Sequence, residues 1–376
     1  KPVSTPNHLT WNPNAPKEGD VTFVAGNPGS TSRLLTMAQL EVLRDQQLPI
    51  TLIQTSELRG RLLEYATTSE EAKRVSVDPI FGLENSFKVY YGQQGALTDP
   101  AFMAKKRAEE QELRQRVAAD PALAQRIGDP WAELERAAAA QRDLYLPYRQ
   151  LESGPRSQLY SYAKAIVRAA KERAKPAAER RAGYSEADIA ALGRRLAQDA
   201  PISDDIEKIQ MSFWLSKTRE YLTVDNPSVK ALLGKESPEQ LAERLGSQTR
   251  LADPDYRRQL WEGGLQAIEA SKDPLIQYAL KLEPRQRALK RQVDENYQGP
   301  LTAAGGKLAE ARFAAYGNAL YPDATFTLRI SYGQVKGWTE RGRPVPYATT
   351  MGGTFDRATG NAPFDLPTAF AANRKA

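Results

Sequence analysis

The segment TFVAGNPGSTSRLLT, residues 22–36, holds the residue types from which a phosphate-binding loop is made: two glycines, then three hydroxyls. A Walker-type loop spaces its glycines five apart and follows the second with a lysine that reaches the terminal phosphates. Here Gly26 and Gly29 are three apart and no lysine follows closely; a G-x-G-x-x-G dinucleotide pattern is also missing. A Pro28-Gly29 turn of type II between two strands fits better. Proline presets φ at the second turn position and glycine accepts the positive φ required at the third.

Other chemistry is limited by what the sequence lacks. His8 is the only histidine, so a Ser-His-Asp triad built within these residues would have to use it. It sits in the proline-rich segment KPVSTPNHLTWNPNAPK, where a solvent-facing or packing role is expected. With no cysteine there is no disulfide, thiol nucleophile or thiolate metal site, and no His/Cys cluster suggests zinc. Two-carboxylate chemistry remains open because acids are abundant. Asp204-Asp205 and Glu109-Glu110, however, read as exposed helix faces. No metal or cofactor is expected.

The bulk numbers bound the answer loosely. A length of 376 residues allows two or three domains, and a hydrophobic fraction of 41% allows a sizeable core. No window approaches a membrane span. The net charge of +6 is the small difference between 52 basic and 46 acidic residues. They interleave, as in AKKRAEEQELRQR (104–116), in the manner of solvated helix faces. No basic stripe with interleaved aromatics suggests nucleic acid. The sequence opens Lys1-Pro2-Val3 without an initiating Met, which reads as a piece of a longer protein.

The elements that must position any site are mostly helices. Asp99-Pro100, Asp120-Pro121, Asp129-Pro130, Asn226-Pro227, Ser237-Pro238, Asp253-Pro254 and Asp273-Pro274 each pair an N-capping side chain with a proline suited to the first helical position. Gln240 gives Ser237 a capping-box partner. Leu159, Tyr162, Ala163, Ile166, Val167 and Ala170 form one buried helical stripe. Ile206, Ile209, Phe213 and Trp214 form a second, and Tyr256, Leu260, Trp261, Leu265 and Ile268 a third. Both ends differ. Residues 21–36 read as strand, turn, strand. Residues 324–338 alternate, with Phe326, Leu328 and Ile330 on one face, and 347–355 continue in that style. A helical block of about 37–318 set into a β scaffold follows.

The end blocks EGDVTFVAGNPGSTSRLLT and LYPDATFTLRISYGQVKGW, with RVSVDPIFGLENSFKVYYGQQGAL and DPAFMAKKRAEEQELR between them, resemble the bacterial dipeptidyl-peptidase 7/11 family of serine peptidases. The resemblance implies a mainly α fold, in which a large helical domain is inserted between β-strand segments of the two lobes of a chymotrypsin-like double β-barrel. It assigns 1–36 to the end of the first lobe, 37–318 to a helical cap and 319–376 to the start of the second lobe. It further implies cleavage of dipeptides from free N-termini, a periplasmic or cell-surface location in a Gram-negative bacterium, and a homodimer as one available assembly. The family's catalytic His and Asp precede the FVAGNPG block and its Ser follows the TTMGG region, so no triad residue is expected here. RATGNAPFD (357–365) has Gly360-Asn361 but no serine after it. One site residue carries over: in the family an asparagine in an Asn-x-x-Lys setting contacts the substrate's α-amino group, and Asn85, three residues before Lys88, is the candidate. An amide oxygen is a neutral acceptor for the three donors of an ammonium.

Two rivals are a stand-alone helical interaction module and a homologue that keeps the fold without catalysis. Strands belonging to a larger barrel should expose apolar edges, whereas a self-sufficient module should blunt them.

Overall fold

The computed structural model describes residues 4–340, 342–361 and 364–374 and is mostly helical with few strands. It divides into a helical unit, 35–321, and a second unit formed by 1–34 with 322–376.

In the helical unit the seven Asp/Asn/Ser-Pro pairs expected to start helices all do so. The elements are α1 Met37–Val42, α2 Leu48–Ala66, α3 Glu70–Thr98, α4 Pro100–Ala118, α5 Pro121–Ile127, α6 Pro130–Pro147, α7 Gln158–Arg173, α8 Glu186–Leu196, α9 Asp204–Leu222, α10 Pro227–Leu233, α11 Pro238–Ser247, α12 Pro254–Ala270, α13 Pro274–Val293 and α14 Gly299–Tyr316. At each predicted start the capping oxygen accepts a first-turn N–H, and Ser237 with Gln240 closes the capping box. An eighth pair of the same kind, Asp78-Pro79, opens nothing and lies inside α3. Val75, Ser76 and Leu83 on either side of it share one packed face, so burial carries the helix past the missing N–H.

The main core runs through α7, α9 and α11–α13. All six residues of the 159–170 stripe are buried, against Trp214, Leu215, Leu245, Leu260 and Leu282. A second cluster joins α4, α5, α6 and α14 through Val117, Ile127, Trp131, Leu134 and Leu308. Leu58 and Leu62 of α2 and Leu83 of α3 meet Ile206 and Phe213 of α9. Phe213 and Trp214, adjacent on α9, therefore serve different clusters. Five- or six-residue π-helical turns interrupt the helices at Leu43–Gln47, Tyr148–Ser153 and Asp294–Gln298.

Charge is not confined to solvated faces, as interleaving suggested. Glu172 and Arg257 are fully buried. The Arg257 guanidinium donates to the carbonyls of Leu196, Gln198, Leu251 and Ala252 at 2.6–2.8 Å and lies over the Tyr162 ring. It closes the C-terminal end of α8, where orphan carbonyls need donors. Glu110 is likewise more than an exposed acid: its carboxylate accepts the Met37 N–H at 2.7 Å, capping α1, and pairs with Arg114. Asp204 and Asp205 are exposed as expected.

In the second unit, β1 (Val21–Gly26) pairs antiparallel with β2 (Arg329–Gln334), with Phe23 opposite Tyr332; β3 (Trp338–Glu340) pairs with β4 (Arg343–Val345). Two short helices, α15 (Met351–Asp356) and α16 (Thr368–Ala372), follow. The strand readings need three corrections. Residues 27–36 form no second strand, and Gly29 lacks the positive φ of a type II turn. The alternation from 324 starts too early: Phe326 takes φ 62°, which breaks any strand, so β2 begins at Arg329. The 347–355 segment ends in helix, its Phe355 ring packed 6.5 Å from that of Phe370. In the 357–365 segment, Ala362 and Pro363 lie outside the described residues.

Candidate functional site

Asn85 is positioned by α3, which forms a hairpin with α2 across a three-residue connection. Ser69 caps α3 by accepting the Ala72 N–H, and Glu70 and Glu71 complement the dipole of its first turn. Leu83 faces the core at 2% exposure. At 100° per residue Asn85 lies roughly 200° from it, and therefore on the outer face. There its amide is exposed and makes no hydrogen bond among the described residues. Lys88, one turn on, is exposed beside it, and Phe81, one turn back, is 71% exposed. The two predicted residues do share a face. Asn85 caps no helix and is exposed in mid-helix, where asparagine is only a modest helix former.

Ion pairs brace the hairpin internally and tie it to α9. Arg59 of α2 pairs with Glu84 of α3 at 2.7 Å. Lys217 of α9, 8% exposed, reaches Glu57 of α2 and, at 2.6 Å, Glu220. Burial works against the charge of Lys217, but Glu220 and Glu57 more than compensate and hold its pKa above the ordinary value. Beside them a cavity of about 220 Å³ is lined by Gln54, Leu58, Leu83, Arg149, Trp214 and Lys217.

His8 is exposed and its Nδ1 lies 3.0 Å from the Thr5 carbonyl, and among the described residues no nucleophile or carboxylate bonds to its ring. In the 26–32 loop, the Asp323 carboxylate accepts the Thr31 hydroxyl at 2.6 Å and the backbone N–H groups of Arg33 and Leu34 at 2.8 and 3.3 Å. A carboxylate on these donors repels phosphate, so the loop is a structural clamp. Among the described residues no group of His, Asp and Glu is arranged to hold a metal ion, and no helix is long and apolar enough to cross a membrane.

A family model, peptidase S46, matches residues 1–376. The chain belongs to the peptidase S46 family. This S46 chain is similar to an Asp/Glu-specific dipeptidyl-peptidase of Shewanella putrefaciens, 27% identical over 97% of the chain and 50% of the relative. It is also similar to dipeptidyl-peptidase 7 of Porphyromonas endodontalis, 23% identical over 95% of the chain and 43% of the relative. It spans about half the length of the curated relatives it matches. The fold is that of Porphyromonas endodontalis DPP11: the complex with the dipeptide Arg-Glu superposes with a TM-score of 0.71 at 18% identity, covering 98% of this chain and 53% of that one. The alternate conformation of DPP11 gives 0.55 at 17% identity, covering 96% and 50%.

Sequence reading missed the cations Arg168, Arg181, Arg287, Lys290 and Arg291, which line a second cavity. Interleaved charge hides such a cluster, because the three stretches that build it lie far apart in the chain.

Proposed function

We propose that this S46 chain is the helical cap and adjoining strands of a serine dipeptidyl-peptidase that removes dipeptides from free peptide N-termini. The observation that carries the reading is the family match along the entire chain, joined to relatives named as dipeptidyl-peptidases that are about twice as long. The second unit supports it. Val21, Phe23, Val24, Ile330 and Tyr332 of the β1–β2 ribbon are all exposed, Tyr332 to 81%. A lone two-stranded ribbon is marginal in water, and its uncovered apolar face, formed by Val21, Phe23, Ile330 and Tyr332, suits strands of a chymotrypsin-like barrel. A self-sufficient interaction module would bury one face.

In this reading the acyl-transfer chemistry is supplied by Ser, His and Asp outside these residues, since the single histidine is committed to no triad. Asn85 anchors the substrate: its amide oxygen accepts from the α-ammonium, which fixes the distance from the free N-terminus to the scissile bond. The charge of Lys88, one turn away, opposes a second cation, so the remaining acceptors for the ammonium come from elsewhere in the enzyme. The reading carries with it a periplasmic or cell-surface location and a homodimer, both from the family resemblance.

The test is coumarin release from free and N-acetylated dipeptidyl substrates by the protein at its natural length. Cleavage of the free-amine substrate alone, with a raised KM in Asn85→Ala, is the expected result. Equal cleavage of both substrates would remove the N-terminal anchor from the reading, and no cleavage of either would remove the peptidase.

A further inference from the structure

A cavity of about 450 Å³ opens between α7, α13, the π-helical turns 148–153 and 294–298, and the loop before α8. Its walls carry Arg168, Arg181, Arg287, Lys290 and Arg291, with Glu152, Asp294 and Glu295 as the acids. The deeper cations are already committed. Arg168 holds Glu152 through two parallel bonds of 2.7 and 2.6 Å, Arg287 holds Glu172 and Glu283, and Lys290 holds Asp294. Lys171 and Lys175 neutralise Glu283 and Glu172 further, each within 2.9 Å.

The rim is different. The guanidinium groups of Arg181 and Arg291 have no ion pair or hydrogen bond among the described residues, and Arg168 keeps a buried Nε–H without an acceptor. The cations of the cluster, Lys164 included, outnumber its carboxylates. Burial first and the Arg168 charge second pull the pKa of Lys164 down to about 8, against the opposing effect of Glu152. Two π-helical turns at one cavity add a structural sign, because such turns cost regular hydrogen bonding and concentrate at functional sites. The volume suits a small ligand.

We infer that this cavity binds a small oxyanion carrying at least two negative charges, a phosphate or a dicarboxylate, held by the Arg181 and Arg291 forks at the rim over the ion-paired floor. Guanidinium forks match such oxygens two at a time, which an ammonium cannot do. The site is separate from Asn85 and does not depend on the peptidase reading.

Calorimetric titration of the full-length protein with inorganic phosphate, and separately with succinate, at constant ionic strength tests this. Saturable binding of one anion per chain by either probe is expected, and the stronger probe tells tetrahedral from dicarboxylate chemistry. Arg181→Gln/Arg291→Gln should weaken it by about tenfold or more without lowering Tm, because neither side chain holds a structural partner. A measurement on the unaltered protein stands beside it: the better-binding anion should protect Arg181 and Arg291 from phenylglyoxal while exposed Arg74 reacts as before. Absence of saturable binding with both probes, or unchanged binding in the double variant together with no protection, overturns the site.

Discussion

Asp323 accepts the hydroxyl of Thr31 at 2.6 Å, joining positions 292 apart in sequence. The same carboxylate takes the N–H groups of Arg33 and Leu34, the last residues before the chain enters the helical unit. Burial works against its charge, but the Thr31 hydroxyl and these backbone donors hold its pKa below the ordinary value. Each bond to a charged acceptor is worth about 1.5–3 kcal/mol. Asp323→Ala should therefore cost at least about 2 kcal/mol in urea unfolding, and Thr31→Val about half as much. A loss below 0.5 kcal/mol for Asp323→Ala, the range of an ordinary surface change, would mean the clamp does not hold.

Glu172 makes stability depend on pH. It is fully buried, and although burial opposes its charge, Lys175, Arg287 and the Arg181 N–H bring its pKa down to about 2 from the ordinary 4.5. A carboxylate whose pKa is depressed by folding stabilises the protein fully above its unfolded value and loses that contribution as pH falls. The window here runs from about 4.5 down to about 2. Glu172→Gln should be less stable at pH 7 by about 2–3 kcal/mol and show a shallower loss across that window. Parallel pH profiles for the two proteins would rule the assignment out.

The capping residues should not be equal. Asp99 accepts one N–H of α4 from an exposed position. Asp273 is buried and accepts from Leu275 and Ile276 of α13 as well as from the Thr249 hydroxyl and the Arg250 N–H. Asp99→Ala should cost about 1 kcal/mol, while Asp273→Ala strands donors around a buried site and should cost about 3 kcal/mol. Thermal or urea unfolding of both variants decides it; equal losses would show that the buried partners contribute nothing.

Asn85→Ala separates the proposed anchoring from folding. Alanine is the better helix former by about 0.5–0.7 kcal/mol, and the exposed amide has no hydrogen-bond partner among the described residues. The variant should be slightly more stable in urea yet bind free-amine dipeptidyl substrates more weakly. A destabilised variant would indicate a structural role for Asn85 instead.

The sequence by itself determined the helix starts, the buried stripe of α7 and the family resemblance, now matched over residues 1–376. Caps and stripes are legible because they act within one or two turns: Asp120 accepts the Leu123 N–H only three residues on. The sequence also put Asn85 and Lys88 one turn apart, but only Leu83 packing against α9 turned that face to solvent. Tertiary structure alone decided that Asp78-Pro79 continues a helix and that Phe326 interrupts a strand. It alone paired β1 with β2, clamped the hydroxyl loop on Asp323, and gathered the arginines of 168–181 and 287–291 around one cavity. The reason is physical. A buried ion pair or a strand partner is fixed by which distant segment arrives beside it, and an interleaved run of charges reads the same whether water or another helix covers it.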